Sequence, residues 1–210
     1  MRCWIMNLPT KITVFRLFLT LVIILILCIP FSLFGVHFPK YDVNGVVVEL
    51  EYIIAGVIFI VASLTDFLDG YLARKNNQVT DTGKMLDSIA DKVLVNPILI
   101  ILSVNGFVPV IVPVIYITRD IIVDAIKMEA ANKGKVVAAI GSGKLKTAAM
   151  MVGLVLVFFY NIPFEFINIR VDLFLVIFAC IMSVVSAFQY YHLNKKLIFP
   201  KNEKVEKLEM

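Results

Sequence analysis

Residues 63–95 read SLTDFLDGYLARKNNQVTDTGKMLDSIADKVLV, a stretch that places Asp66, Asp69, Asp87 and Asp91 inside or at the ends of two otherwise apolar segments. An Asp near the centre of a lipid-spanning helix costs roughly 2.5–3.5 kcal/mol. Four deep, unpaired ones would cost on the order of 10 kcal/mol, comparable with the whole stability of a typical domain. Something must compensate them. At about 100° per residue, Asp69, Ala73, Asp66 and Gly70 share an arc of about 100° on the first helix, and Gly83, Asp87 and Asp91 share about 80° on the second. A short connection near residues 75–82 makes the two helices antiparallel neighbours. Their polar stripes can then face each other, and four carboxylates converge.

The rest of the chain explains why such carboxylates are out of place. Of its 210 residues, 60% are hydrophobic and 17% charged, and the mean hydropathy is +0.91. Soluble domains carry roughly 45–50% apolar residues, so a soluble globular protein is excluded. Leu17 to Pro39, Val93 to Thr118, Thr147 to Phe164 and Leu173 to Asn194 contain no Asp, Glu, Lys or Arg, and Tyr52 to Thr65 is a shorter run ending at Asp66. A bilayer needs about 20 apolar residues per helix. The long run from Val93 divides at Asn105-Gly106 and Pro109, which is turn chemistry. The expected architecture is all-α, a single polytopic membrane domain of six transmembrane helices near 12–35, 52–75, 83–104, 108–130, 146–163 and 171–193. Residues 1–11 form an interfacial lead-in, and 195–210 a polar tail.

Of the 20 basic residues, Lys40 and Arg170 alone fall after the first and fifth spans, and the turn after the third has none. By the positive-inside rule, both termini and the even loops are cytoplasmic. A net charge of +4 in this distribution gives no reason to expect nucleic acid as a partner. Cys3, Cys28 and Cys180 are scattered, without metal or disulfide spacing.

No cation lies along the sequence at a height matching the four carboxylates. Bare, they would repel and protonate, whereas hard divalent cations prefer all-oxygen ligands and leave positions for water and substrate phosphate. A two-metal site follows. The plain alternative pairs Asp66 and Asp69 with Arg74 and Lys75, and Asp87 and Asp91 with Lys84 and Lys92. The rarity of ionisable groups inside spans without a function weighs against it. Gly70 and Gly83 lie on the same faces, where a missing side chain admits a ligand or a neighbouring backbone. Arg74, on the edge of the first polar face, has the planar fork that clamps a diphosphate bidentately.

Asp66, Asp69-Gly70, Ala73-Arg74, Gly83, Asp87 and Asp91 spell D-x-x-D-G-x-x-A-R-x8-G-x-x-x-D-x-x-x-D. This pattern resembles the signature of the CDP-alcohol phosphatidyltransferases. Asn7 to Arg16, Arg119 to Ile122, and Gly143 to Thr147 resemble the bacterial phosphatidylglycerophosphate synthase branch, with Asp120 standing where that branch carries Glu. The resemblance implies a six-helix homodimer in the bacterial cell membrane that moves a phosphatidyl group from CDP-diacylglycerol to glycerol 3-phosphate and releases CMP. It implies two Mg²⁺ or Mn²⁺ ions on Asp66, Asp69, Asp87 and Asp91, with Asp87 and Asp91 catalytic and Asp91 taking the acceptor's proton. Gly70, Ala73, Arg74 and Gly83 would hold the nucleotide, and Thr13 and Arg16 would also contact substrate. A phosphorylated acceptor, repelled by the carboxylates, needs a cationic seat, for which Arg119, Lys135, Lys144 and Lys146 are the candidates. Sister enzymes using inositol phosphate, serine or phosphatidylglycerol would share the Asp set. A divalent-cation transporter would instead continue its polar groups into the outer halves of the spans, which here are apolar.

Overall fold

Helix α1 (Leu8–Cys28) is built inside out. Val14, Phe15, Phe18, Leu21 and Leu25 are exposed, while Thr13, Arg16, Thr20 and Ile23 are buried at helical spacing. An apolar exterior around a polar stripe is the arrangement lipid demands. The computed structural model describes residues 8–35, 37–43, 45–75, 81–134 and 141–198; the side chains of residues 8, 9, 67, 69, 71–74, 81, 82, 84 and 196–198 are not among those described.

After α1 come strands β1 (Lys40–Val43) and β2 (Val46–Glu49), then α2 (Leu50–Lys75), α3 (Asp81–Val104), α4 (Ile111–Asn132), α5 (Gly141–Phe158) and α6 (Val171–Ile198), with short 3₁₀ turns at Phe31–Phe34 and Phe164–Ile167. The all-α expectation holds, with a small antiparallel hairpin added between α1 and α2 that pairs Lys40 with Glu49 and Val43 with Val46. Gly45, at φ +88°, makes its turn. Thr10–Cys28, Gly141–Phe158 and Val171–Lys195 are long and apolar enough to cross a bilayer by length and composition. The charged residues of α2, α3 and α4 break up their apolar runs.

Several ends differ from the expected spans. The first helix stops at Cys28 rather than near 35, because Pro30 has no N–H to bond the Ile26 carbonyl. The third ends as the Asn105-Gly106 pair predicts: Gly106 turns left-handed at φ +81°, with Gly106 N donating to Ser103 O and Phe107 N to Leu102 O. The fifth starts at Gly141 rather than 146 and stops at Phe158 rather than 163. There Tyr160 and Asn161 adopt positive φ. Buried Asn161 then staples the following loop, donating through Nδ2 to Ile169 O and accepting at Oδ1 from Asp172 N.

Contacts gather into two units, residues 1–110 with 151–174, and residues 111–150 with 175–210. In the first, α1 packs on α2 and α3, around Ile23, Phe59, Leu94, Ile98 and Phe158. Gly56 permits a close crossing, since a Cβ there would meet Phe158 Cβ at 2.8 Å. Tyr52, Phe107 and Tyr160 pack together at one end in tilted and edge-to-face pairs, with ring centroids 4.8–6.1 Å apart. Tyr160 Oη also accepts from the Glu49 amide, tying the hairpin down. In the second unit, α4 buries Tyr116, Arg119, Asp120 and Val123, facing Ser183 and Ser186 of α6.

Candidate active site

The second and third helices bring carboxylates together as their stripes predict. One oxygen from each of Asp66, Asp87 and Asp91 lies within 4.8 Å of the others. Among the described residues, no other three His, Cys, Asp or Glu side chains converge this closely. Asp87 and Asp91 are one turn apart on α3, and Asp66 reaches them from α2. Asp69 lies on α2, one turn beyond Asp66; its side chain, with those of Ala73 and Arg74, lies outside the described residues, as does Lys135 altogether.

The structure also supplies a cation that the stretch 63–95 does not contain. Arg16 of α1, fully buried, donates from Nη1 to Asp91 Oδ1 at 2.9 Å and from Nη2 to Asp87 Oδ1 at 2.6 Å, and its Nη1 also pairs with Asp66 Oδ1. The expectation that no cation stands at this height is therefore corrected. Arg16, expected at the substrate, ion-pairs with three of the metal-ligand candidates, and Thr13 is buried one turn before it. Thr20 Oγ1 bonds the Arg16 carbonyl at 2.9 Å. The fit to divalent metal survives this correction. Three carboxylates against one guanidinium leave a net charge of −2, before Asp69 is counted. The donors are all hard oxygens, and Asp66, Asp87 and Asp91 keep 24%, 42% and 37% of their side chains exposed, so a ligand can reach them.

The second unit holds a cluster of opposite sign. Arg119 donates from Nε to Ser183 O at 2.8 Å, from Nη1 to Asp120 Oδ1 at 2.7 Å, and from Nη2 to Ser186 Oγ at 2.6 Å. Lys146 of α5 reaches the same Asp120 oxygen at 2.5 Å and lies 4.3 Å from the Tyr116 ring centroid. Arg119, Asp120 and Lys146 are all buried. Of the four basic candidates, the structure joins Arg119 with Lys146. Lys144, two residues from Lys146 and so on a different face of α5, is exposed.

Residues 6–189 match the sequence model of the CDP-alcohol phosphatidyltransferases. The chain belongs to the CDP-alcohol phosphatidyltransferase family. A CDP-diacylglycerol–glycerol-3-phosphate 3-phosphatidyltransferase of Bacillus subtilis strain 168 is 35% identical over 197 residues, 93% of this chain and 99% of that protein. Proteins of the same name from Haemophilus influenzae and Mycoplasma genitalium are 34% identical over 90% of this chain and 94% of theirs, and 38% identical over 69% of this chain and 61% of theirs.

Within this CDP-alcohol phosphatidyltransferase, sequence reasoning missed two kinds of residue. The first is Arg16 as partner of the carboxylates; the available signal was an arginine at the edge of an otherwise charge-free run. The second is the serine pair. Ser183 and Ser186 stand one turn apart in a charge-free span, fully buried, and only the fold shows that they anchor Arg119.

Proposed function

We propose that this membrane protein transfers the phosphatidyl group of CDP-diacylglycerol to glycerol 3-phosphate, giving phosphatidylglycerophosphate and CMP. The observation that carries this reading is the convergence of Asp66, Asp87 and Asp91 with a residual −2 charge, in a chain aligned along 99% of the Bacillus relative. Asp66, Asp69, Asp87 and Asp91 would hold two divalent cations, Mg²⁺ or Mn²⁺. When bound, these supply charge neutralisation at the diphosphate and at the departing nucleotide phosphate.

The side chains do the rest. Arg16 holds Asp66, Asp87 and Asp91 in one orientation, so that carboxylates which would otherwise repel stay convergent. With Asp91 Oδ1 engaged by Arg16, Asp91 Oδ2 takes the proton from the acceptor hydroxyl. The hydroxyl oxygen bonds the lipid-side phosphorus as the bond from that phosphorus to the CMP oxygen breaks, and CMP leaves with the electron pair. Arg74 clamps the diphosphate, with Gly70, Ala73 and Gly83 forming the small-residue surface for the nucleotide. Arg119 and Lys146 take the acceptor's own phosphate. The enzyme sits in the bacterial cell membrane as a homodimer with six crossings per chain, both termini and the site on the cytoplasmic side.

The test is purified protein with CDP-diacylglycerol, Mg²⁺ and labelled glycerol 3-phosphate, followed by CMP release and lipid labelling. Both are expected, and both stop on chelation. Absence of CMP release with any alcohol defeats the reading. Release with inositol phosphate or serine alone moves the chain to a sister activity.

A further inference from the structure

Asp120 lies outside the four-carboxylate motif, and the scheme above gives it no part. Yet it is the one anion contacting both cations of the second cluster among the described residues, and a single oxygen, Oδ1, receives both: Arg119 Nη1 at 2.7 Å and Lys146 Nζ at 2.5 Å. Neighbours at i and i+1 on a helix diverge by about 100°, and the guanidinium that bends to make this contact is also held from α6. Ser183 O holds its Nε and Ser186 Oγ holds its Nη2.

Three anchors in three directions fix the plane of a rigid five-donor fork. They use one N–H on each nitrogen, so the described contacts leave one N–H on Nη1 and one on Nη2. Lys146 spends one of its three donors on Asp120. Two cations against one carboxylate leave a residual +1 in a buried setting, which calls for an anionic ligand with several acceptor oxygens.

We propose that Asp120 is a positioning residue that ties Arg119 and Lys146 into one preorganised seat for the phosphate monoester of the acceptor alcohol, with Ser186 as its second support. This rests on the acceptor reading given under Proposed function. The sign of the effect follows from the stems. Without Asp120, the two like charges repel. Arg119 keeps its two serine anchors, while Lys146, on four flexible methylenes, swings away. Half the seat is lost, and this outweighs the gain of removing a negative charge from the site.

The experiment measures kcat and both KM values for wild type, Asp120→Asn, Asp120→Glu and Ser186→Ala in detergent, alongside calorimetric binding of glycerol 3-phosphate. Asp120→Asn is expected to raise KM for glycerol 3-phosphate about tenfold, with kcat and KM for CDP-diacylglycerol within about threefold. Asp120→Glu, which keeps the charge, should return KM to within about threefold of wild type. Ser186→Ala should raise the same KM about threefold, and it decides the matter should Asp120→Asn not fold. An unchanged KM for glycerol 3-phosphate in these variants overturns the proposal. So does a uniform fall in all three parameters that Asp120→Glu shares, which marks a purely structural role. If wild type shows no turnover, the reaction is misread, and the binding arm still decides. A glycerol 3-phosphate Kd about tenfold weaker in Asp120→Asn upholds the positioning role, and equal Kd values, or no binding by wild type, end it.

Discussion

The acidic cluster of the first unit and the basic cluster of the second are built on the same plan with the signs reversed. Each gathers like charges around one counter-ion of the protein's own. Arg16 stands among Asp66, Asp87 and Asp91, and Asp120 stands between Arg119 and Lys146. In both, the counter-ion is too small a charge to balance the set, leaving −2 in one and +1 in the other. A protein in lipid tolerates such residues when a ligand completes them. The residual charge is what supports the ligands proposed for the two clusters, divalent metal in the first case and a phosphate in the second. The difference lies in exposure: the carboxylates are partly open, while Arg119, Asp120 and Lys146 are buried. The proposed metal seat is thus open to ions from water, whereas the proposed phosphate seat is built of buried side chains already held by hydrogen bonds.

The sharpest way to break this comparison is at the acidic centre. Asp87→Asn removes one ligand and one Arg16 partner, and turnover should fall by ~10³-fold or more, as for residues acting as a unit. Chelation with EDTA should abolish CMP release, with recovery on adding Mg²⁺ or Mn²⁺; full turnover in the chelated enzyme would remove the metal half of the comparison. Arg16→Ala should reduce kcat about 100-fold and lower the melting temperature of the metal-free protein, because three convergent carboxylates lose their counter-ion. A melting temperature unchanged by Arg16→Ala would show that the ion pairs contribute nothing to the apo state.

At the basic cluster, Arg119→Ala should raise KM for glycerol 3-phosphate by about 30-fold, roughly 2 kcal/mol, while KM for CDP-diacylglycerol stays within about threefold. Equal effects on both substrates would dissolve the distinction between the two seats. The smallest effect belongs to the scaffold. Gly56→Ala puts a Cβ at 2.8 Å from Phe158 Cβ, and the overpacking should cost about 1–3 kcal/mol, read as a lower melting temperature with KM values unchanged.

The same contrast separates what is written locally from what is not. The acidic motif is contiguous, spanning residues 66–91 on two helices that are near neighbours in the sequence, so helical periodicity alone predicts which carboxylates meet. The Asn105-Gly106 break also acts through local backbone geometry, as Gly106 at φ +81° shows. The hairpin turn at Gly45, φ +88°, is equally local, since the sequence there reads Asn-Gly between two short apolar stretches.

Sequence by itself determined the membrane character, the helix count and the convergence of Asp66, Asp87 and Asp91, because hydropathy and the 3.6-residue period act over neighbouring residues. Only the tertiary structure decided that Arg16 pairs with carboxylates 50 or more positions away, that Lys146 rather than Lys144 joins Arg119, and that Ser183 and Ser186 hold the guanidinium. Those pairings depend on which helix faces which. Packing sets that choice across the whole chain, and no local pattern encodes it.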